Sequence, residues 1–148
     1  MSALLADWGS ASPPLIAVVD DEASVRKALG RLLRAAGFES RLFASGHEFL
    51  EACRKEPPDC VVLDLHMPEM SGLEILRRMN GSGLFLPMVL ITADDESGRC
   101  QRLLDEGAVA WLRKPLDGPQ LIQRVEHAVL LARSVHAMNA RVTAFAAR

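Results

Sequence analysis

Residues 15–21 read LIAVVDD, five apolar residues followed at once by two aspartates. The same order recurs in residues 60–64, CVVLD, where one aspartate closes an apolar run. Continuous apolar runs of this length are typical of strands buried on both faces, as in parallel sheets. In open α/β sheets the ligand site lies outside the carboxyl ends of the strands. Each stretch therefore predicts a buried strand that ends at a polar site.

Two later segments carry a polar residue at the end of an apolar run in the same way. Thr92 follows the run at 86–91, and Lys114 comes two residues after the run at 109–112. Because the carboxyl ends of parallel strands meet at one edge of a sheet, these two residues and the three aspartates are expected to form one composite site. One polar residue after one strand would carry no such meaning.

Segments with helical spacing separate the apolar runs. Gly37 and Gly107 are expected to end two of these helices, since a glycine often closes a helix, and Ser45 is expected to cap another. A shorter, weaker strand is predicted at 41–43, and the last helix is predicted from Leu116 onward. Five βα units in succession predict an α/β fold, a doubly wound five-stranded parallel sheet with helices on both faces.

Composition narrows the class of protein. The 148 residues, 49% of them hydrophobic, fit one domain, and the net charge of −2 gives no electrostatic basis for binding nucleic acid or an anionic membrane. Three cysteines without a CxxC pair indicate reduced thiols and a cytoplasmic location. No apolar run is long enough to span a membrane, and the N-terminus lacks the basic region of a secretory signal.

The three aspartates define the chemistry of the predicted site. Crowded carboxylates raise one another's pKa and stay ionised together only if a cation lies among them. Oxygen ligands without a histidine or cysteine cluster favour a hard ion, Mg²⁺ before Ca²⁺. Lys114 adds a second positive charge. A carboxylate flanked by a metal ion and a lysine suits attack on a phosphoryl group, because both cations neutralise charge on the transferring oxygens.

These motifs resemble those of receiver domains of two-component response regulators. The matching segments are Asp20-Asp21, residues 63–72 (LDLHMPEMSG), Thr92-Ala93, Gly107-Ala108 and Lys114-Pro115. The resemblance runs from about residue 14 to residue 133. It leaves residues 1–13 as a flexible N-terminal tail and residues 134–148 as a helical extension or linker. It implies the flavodoxin-like receiver fold, with strand order 2-1-3-4-5.

The resemblance also implies roles for single residues. Asp64 would be the phosphoacceptor, with Asp21 binding Mg²⁺ directly, Asp20 binding it mainly through water, and the backbone carbonyl of His66 adding a further ligand.

Lys114 and the backbone of Ala93 would bind the phosphoryl group. Thr92 would follow that group and start the conformational switch, and Trp111 occupies the switch position that is usually tyrosine or phenylalanine. The peptide bond before Pro115 is expected to be cis.

Two further expectations concern lifetime and partners. His66 and Asp94 flank the expected path of the attacking water, so a pairing between them would lengthen the phosphorylated state; two independent solvated side chains are the alternative.

A histidine kinase or phosphotransfer protein would donate the phosphoryl group. The output surface, and the interface of a possible homodimer, would comprise the fourth helix (Ser97–Glu106), the fifth strand (Val109–Leu112) and the last helix.

Three functions compete for this sequence. The first is a phosphorylation-controlled switch that catalyses only its own phosphorylation and dephosphorylation. The second is a phosphohydrolase of the haloacid dehalogenase type, but that family has an aspartate where His66 stands, and the chain has no room for a cap domain. The third is a degenerate receiver acting as a constitutive interaction surface, which would normally have lost one of the site residues. The first is favoured because none is missing.

The C-terminal helix carries a pattern of its own. Apolar residues recur there at alternating spacings of three and four, the a and d positions of a coiled coil: Ala128, Leu131, Val135, Met138, Val142 and Phe145. One interpretation is that the helix continues past Arg133 and pairs with a second copy or leads into an effector. The alternative is that the early members pack on the sheet while the tail frays.

Overall fold

The computed structural model describes residues 12–93 and 98–146. Strands and helices alternate along the whole of this part of the chain. The strands are β1 (Leu15–Val19), β2 (Glu39–Phe43), β3 (Cys60–Asp64), β4 (Met88–Thr92) and β5 (Ala110–Arg113). The helices are α1 (Ala23–Ala35), α2 (Gly46–Lys55), α3 (Gly72–Gly81), α4 (Arg99–Asp105) and α5 (Gly118–Ala146). The predicted α/β fold is confirmed.

The five strands form one parallel sheet in the order β2-β1-β3-β4-β5, as predicted. Its register aligns the carboxyl ends of the central strands. Val19 lies beside Leu63, and Asp64 lies beside Ile91. Thr92 in turn lies beside Arg113, the residue before Lys114. The residues that follow β1, β3, β4 and β5 therefore meet at one edge of the sheet.

Helices cover both faces of the sheet and create two cores. Because successive side chains of a strand point to opposite faces, Val18 belongs to the core under α1 and α5, whereas Val19 belongs to the core under α2, α3 and α4. Leu33 and Leu121 fill the first core and Phe49 fills the second, each fully buried. Burial of all the residues of β1, β3 and β4 except Leu15 explains why their sequences are apolar up to the polar residues that end β3 and β4, Asp64 and Thr92.

Strand boundaries differ from the prediction by one or two residues. β4 begins at Met88 and not at 86, because Pro87 has no N–H to donate to a neighbouring strand. β2 begins at Glu39, two residues earlier than predicted, because its pairing with β1 starts opposite Leu15. β5 runs from Ala110 to Arg113, one residue later than predicted.

Two helix boundaries also needed correction. α4 spans Arg99–Asp105, shorter than the predicted 97–106, and follows Gly98 in the left-handed conformation at φ 71°. Residue 97 lies outside the described part. α5 begins at Gly118, two residues later than predicted. The Asp117 carboxylate accepts a hydrogen bond from the backbone N–H of Gln120 at 3.3 Å, which fixes this start. Gly37 and Gly107 follow the ends of α1 and α4, as predicted, and both adopt positive φ.

The last helix is one continuous element of 29 residues. The helix therefore continues past Arg133 to Ala146. Ala128, the first member of the predicted a/d series, is fully buried in the core beneath α5. For this member the alternative holds that the early residues of the series pack on the sheet, whereas Leu131 and Met138 are 39% and 62% exposed. Among the described residues, no helix combines the length and apolar character needed to cross a membrane.

Candidate phosphoryl and metal site

Three carboxylates meet at the carboxyl edge of the sheet. Asp20 and Asp21 follow β1, and Asp64 is the last residue of β3. One carboxylate oxygen from each lies within 4.8 Å of the other two. Asp20 and Asp64 are 0% and 2% exposed, whereas Asp21 lies at the surface. The arrangement is a buried acidic pair with a third carboxylate at the solvent side.

Local backbone hydrogen bonds orient the two buried carboxylates. The N–H of Glu22 donates to Asp20 Oδ1 at 2.9 Å, and the N–H of His66 donates to Asp64 Oδ1 at 3.0 Å. In each case the carboxylate binds the backbone two residues further on, a turn that aspartate readily forms. Arg26 Nη1 donates to the Asp20 carbonyl oxygen at 2.7 Å and fixes the start of this turn.

Lys114 brings the positive charge to the site. Its Nζ atom lies 3.4 Å from Asp20 Oδ2 and 3.6 Å from Asp64 Oδ2. The backbone N–H of Lys114 donates to the Thr92 carbonyl at 2.8 Å, which ties the end of β5 to the end of β4. The Lys114–Pro115 peptide bond is cis, the conformation that the resemblance implied.

The electrostatics of the site follow from burial and crowding. Burial raises the pKa of Asp20 above its ordinary value; the Asp64 carboxylate adds to the rise, and the Glu22 N–H and Lys114 oppose it. Burial by itself would lower the pKa of Lys114, but the carboxylates of Asp64 and Asp20 outweigh burial and raise it. Lys114 is therefore a firmly protonated ammonium, and the buried acidic pair still carries an unfavourable excess of negative charge.

The donor set fits a hard divalent cation. Every candidate ligand atom in the three-carboxylate group is an oxygen, and its grouping within 4.8 Å matches what a single small ion would bridge. Burial raises the pKa of Asp20, and a cation bound beside this carboxylate would lower that pKa again by favouring the ionised form. The backbone N–H of His66, the second residue after β3, donates to Asp64 Oδ1, so the backbone of this loop lies beside the same group.

A hydroxyl and an imidazole complete the edge. Thr92 ends β4 and is 0% exposed, and Ala93 follows it at the surface. His66 Nε2 lies 2.9 Å from Thr92 Oγ1, so the exposed imidazole reaches across from the loop after β3. Either ring tautomer allows this hydrogen bond. Asp94 lies outside the described residues, so its predicted pairing with His66 stays a prediction.

Trp111 lies two strands away from Asp64, with β4 between them. It belongs to β5 beside Leu90, is half-buried, and packs against the core under α2, α3 and α4. This position is compatible both with a fixed core aromatic and with a side chain that changes position.

Two contacts at the site escaped the sequence analysis. The Arg26 bond to the Asp20 carbonyl arises because α1 places that guanidinium back over the turn; a basic residue six positions after the aspartate was the only signal. The bond between His66 and Thr92 joins two segments 26 residues apart, and nothing in the sequence marks it.

Residues 16–126 match the family model for the response regulator receiver domain. Response regulator MprA of Mycolicibacterium vanbaalenii is 38% identical over 113 residues, which are 76% of this chain and 49% of MprA. The DNA-binding transcriptional regulator NtrC of Escherichia coli is 34% identical over 115 residues, which are 78% of this chain and 24% of NtrC. The chain therefore spans half or less of the length of these relatives.

Solved structures agree with the sequence comparison. Response regulator StyR is 37% identical, with a TM-score of 0.78 over 88% of this chain and 65% of that one. A receiver protein from Burkholderia phymatum is 41% identical, with a TM-score of 0.69 over 78% of this chain and 94% of that one. The sheet order β2-β1-β3-β4-β5 is that of a receiver-type signalling domain. This chain belongs to the response regulator receiver domain family of two-component systems.

Proposed function

We propose that this receiver is a phosphorylation-controlled switch that accepts a phosphoryl group on Asp64 from a histidine kinase or a phosphotransfer protein. The observation that carries the proposal is the position of Lys114 Nζ, 3.4 Å and 3.6 Å from the carboxylates of Asp20 and Asp64. In this arrangement the Asp64 carboxylate supplies the nucleophile for phosphoryl transfer, and the lysine held between the two buried carboxylates neutralises charge on the transferring oxygens.

The proposed reaction moves one phosphoryl group. An Asp64 carboxylate oxygen attacks phosphorus, the bond from phosphorus to the donor imidazole nitrogen breaks, and that nitrogen keeps the electron pair. Asp64 Oδ1 is held by the His66 N–H, which leaves Oδ2, the oxygen that faces Lys114, as the attacking atom. Lys114 neutralises charge on the transferring oxygens, and the Ala93 backbone would add a donor at the rim.

The proposed Mg²⁺ ligands are Asp20, Asp21, Asp64 and the His66 carbonyl. When bound, Mg²⁺ supplies charge neutralisation that permits three carboxylates to stay ionised beside a phosphoryl group. Asp21 is the exposed member and would bind the ion directly, whereas the more buried Asp20 would bind it mainly through water.

Phosphorylation of the purified protein tests this proposal. Incubation with acetyl phosphate and Mg²⁺ should add one acid-labile phosphoryl group, detected by mass spectrometry and mapped to Asp64. Excess EDTA should prevent the addition, and Asp64→Asn should give none, because an amide is not a nucleophile of this kind. Labelling of Asp64→Asn, or undiminished labelling in EDTA, would contradict the assignment.

The same assay separates the proposed switch from its two alternatives. A constitutive receiver would not incorporate phosphate at all. A phosphohydrolase of the haloacid dehalogenase type would turn over phosphate esters continuously, whereas this protein is proposed to act only on its own phosphoryl group. Family membership supports the receiver assignment over the hydrolase.

The proposed output of phosphorylation is a change on the face formed by α4, β5 and α5. Thr92 would turn toward the phosphoryl group, and Trp111, half-buried on β5, would move into the space that Thr92 leaves. That face is the proposed binding surface for a partner or a second copy. The thiols of Cys53, Cys60 and Cys100 are all buried and not joined in disulfides, which supports a reducing cytoplasmic environment.

Tryptophan fluorescence tests this proposed change. In a Trp8→Phe background, Trp111 is the single tryptophan of the chain. Addition of Mg²⁺ with beryllofluoride, which imitates the phosphoryl group on aspartate, should shift or quench its emission. Trp111→Phe provides the blank. Binding of beryllofluoride is verified separately by its ¹⁹F resonances. If the emission is unchanged although beryllofluoride is bound, Trp111 is a static core residue.

A further inference from the structure

His66 and Thr92 form a hydrogen bond that the proposed chemistry does not require. The imidazole Nε2 lies 2.9 Å from the Thr92 hydroxyl, although His66 is exposed and Thr92 is completely buried. In the proposed switch, this same Thr92 hydroxyl must leave His66 in order to turn toward the phosphoryl group. The contact therefore bears directly on how readily the receiver changes state.

The backbone on both sides of this contact is fixed. The N–H of Leu65 donates to the Ile91 carbonyl at 3.0 Å, which extends the pairing of β3 with β4 up to His66. The Thr92 carbonyl accepts from the Lys114 N–H at 2.8 Å. With its main chain held in this way, Thr92 can move its hydroxyl chiefly by rotation about Cα–Cβ, between the discrete rotamers of a β-branched side chain.

We propose that His66 is a positioning residue that holds the Thr92 hydroxyl in its unphosphorylated orientation. A phosphoryl group on Asp64 must then displace the imidazole before Thr92 can turn toward it. This inference rests on the proposed function, because it concerns the response of Thr92 to a group carried by Asp64. It makes His66 a brake on the switch, in addition to the metal-binding role proposed for its backbone carbonyl.

The size of this brake follows from ordinary hydrogen-bond energetics. A net hydrogen bond in a protein is typically strong enough to change an equilibrium constant by about two- to tenfold. The exposed imidazole can be rehydrated when the bond breaks, so the effect belongs toward the lower end of that range. Removing the bond should tighten the binding of a phosphoryl mimic, since its binding no longer includes the cost of releasing Thr92.

Beryllofluoride titration with ¹⁹F detection, at saturating Mg²⁺ and constant pH, tests the proposal. His66→Leu, which keeps most of the bulk but cannot hydrogen-bond, should bind beryllofluoride about two- to tenfold more tightly than the unmodified chain. His66→Gln, whose amide can reach the hydroxyl, should restore the original affinity. His127→Leu, a change of an exposed histidine on α5, is the matched control and should have no effect.

A double-mutant cycle with Thr92→Ala distinguishes this brake from steric or structural effects. In the Thr92→Ala background, His66→Leu should no longer change the affinity, because there is no hydroxyl to release. Equal affinities for the original chain and His66→Leu, or weaker binding by His66→Leu, would overturn the inference while leaving the proposed function intact. So would an unchanged effect of His66→Leu in the Thr92→Ala background. The lack of any bound resonance in all variants would overturn the proposed function, and the inference with it.

Discussion

Replacing Asp20 with asparagine should weaken Mg²⁺ binding and stabilise the metal-free protein at the same time. The carboxylate is 0% exposed and lies within 4.8 Å of its two acidic neighbours, so its charge is costly unless a cation offsets it. We expect the Mg²⁺ affinity to fall roughly ten- to hundredfold, as is typical when a residue that supports a metal site through water is lost. Asparagine keeps the shape of the side chain but removes the charge.

The effect on stability follows from the direction of the pKa shift. Burial, with a contribution from Asp64, raises the pKa of Asp20 in the folded protein above its unfolded value. Protonated Asp20 therefore favours folding at acid pH, and this contribution is lost as the pH rises through the folded-state pKa. Asparagine is neutral at every pH, so the variant avoids this cost when no metal ion is bound. In EDTA at neutral pH its melting temperature should rise by roughly 2–4 °C, which corresponds to a gain of about 1 kcal/mol in the free energy of unfolding for a protein of this size.

Thermal unfolding in EDTA and in saturating Mg²⁺ would test both halves of this prediction. The difference in melting temperature between Asp20→Asn and the original chain should shrink toward acid pH in EDTA and reverse in Mg²⁺. Asp105→Asn, a change of an exposed carboxylate on α4, should alter neither value. A lower melting temperature of Asp20→Asn in EDTA would mean that the attraction between Asp20 and Lys114 exceeds the cost of the crowded carboxylates.

The sequence predicted best those parts of the fold whose burial is complete. β3 is buried along all five residues, so its apolar run and closing aspartate were unambiguous. β2 has mixed exposure at the sheet edge, and its start depended on pairing with β1, which residue types do not encode. The start of α5 depended on the capping bond from Asp117, a local contact that competes with the apolar signal of Leu116.

For the site, position was predictable and detailed contact was not. Asp20, Asp64 and Lys114 lie at the ends of strands that the topology must bring to one edge, and the structure places Lys114 Nζ within 3.6 Å of a carboxylate oxygen of each aspartate. The bond between His66 and Thr92 depends on the register of β3 against β4 and on two side-chain rotamers. No periodic pattern carries that information, because the outcome is decided by packing after the sheet has formed.

Association through α5 is the second large effect that we expect. The helix is buried against the sheet as far as Ala132, and the side chains described after it, those of residues 133–140, are mostly exposed. Three of the four large, exposed hydrophobic residues among the described side chains belong to this helix: Leu130, Leu131 and Met138. An isolated helical extension of this length is marginal in water. We therefore propose that it pairs with the same helix of a second copy, along the a/d series from Leu131 onward.

α5 also belongs to the face that phosphorylation is proposed to change, so a parallel pair of these helices would link dimer formation to phosphorylation. Sedimentation velocity at tens of micromolar should give a species of about twice the 16.2 kDa chain mass, more abundant with Mg²⁺ and beryllofluoride. Met138→Glu places a charge in the proposed seam and should return the protein to the monomer. Ala140→Glu, an exposed position outside the a/d series, is the matched control and should still associate.

Truncation provides the independent arm of the same experiment. A chain ending at Arg133 keeps every residue of α5 that is fully buried among the described side chains, so it should fold, yet it lacks most of the proposed seam. It should remain monomeric with and without beryllofluoride. Dimers of this shorter chain would relocate the interface to α4 and β5. Monomers in all samples, including the full chain with beryllofluoride, would exclude pairing through the helix and leave its exposed apolar residues to a different partner.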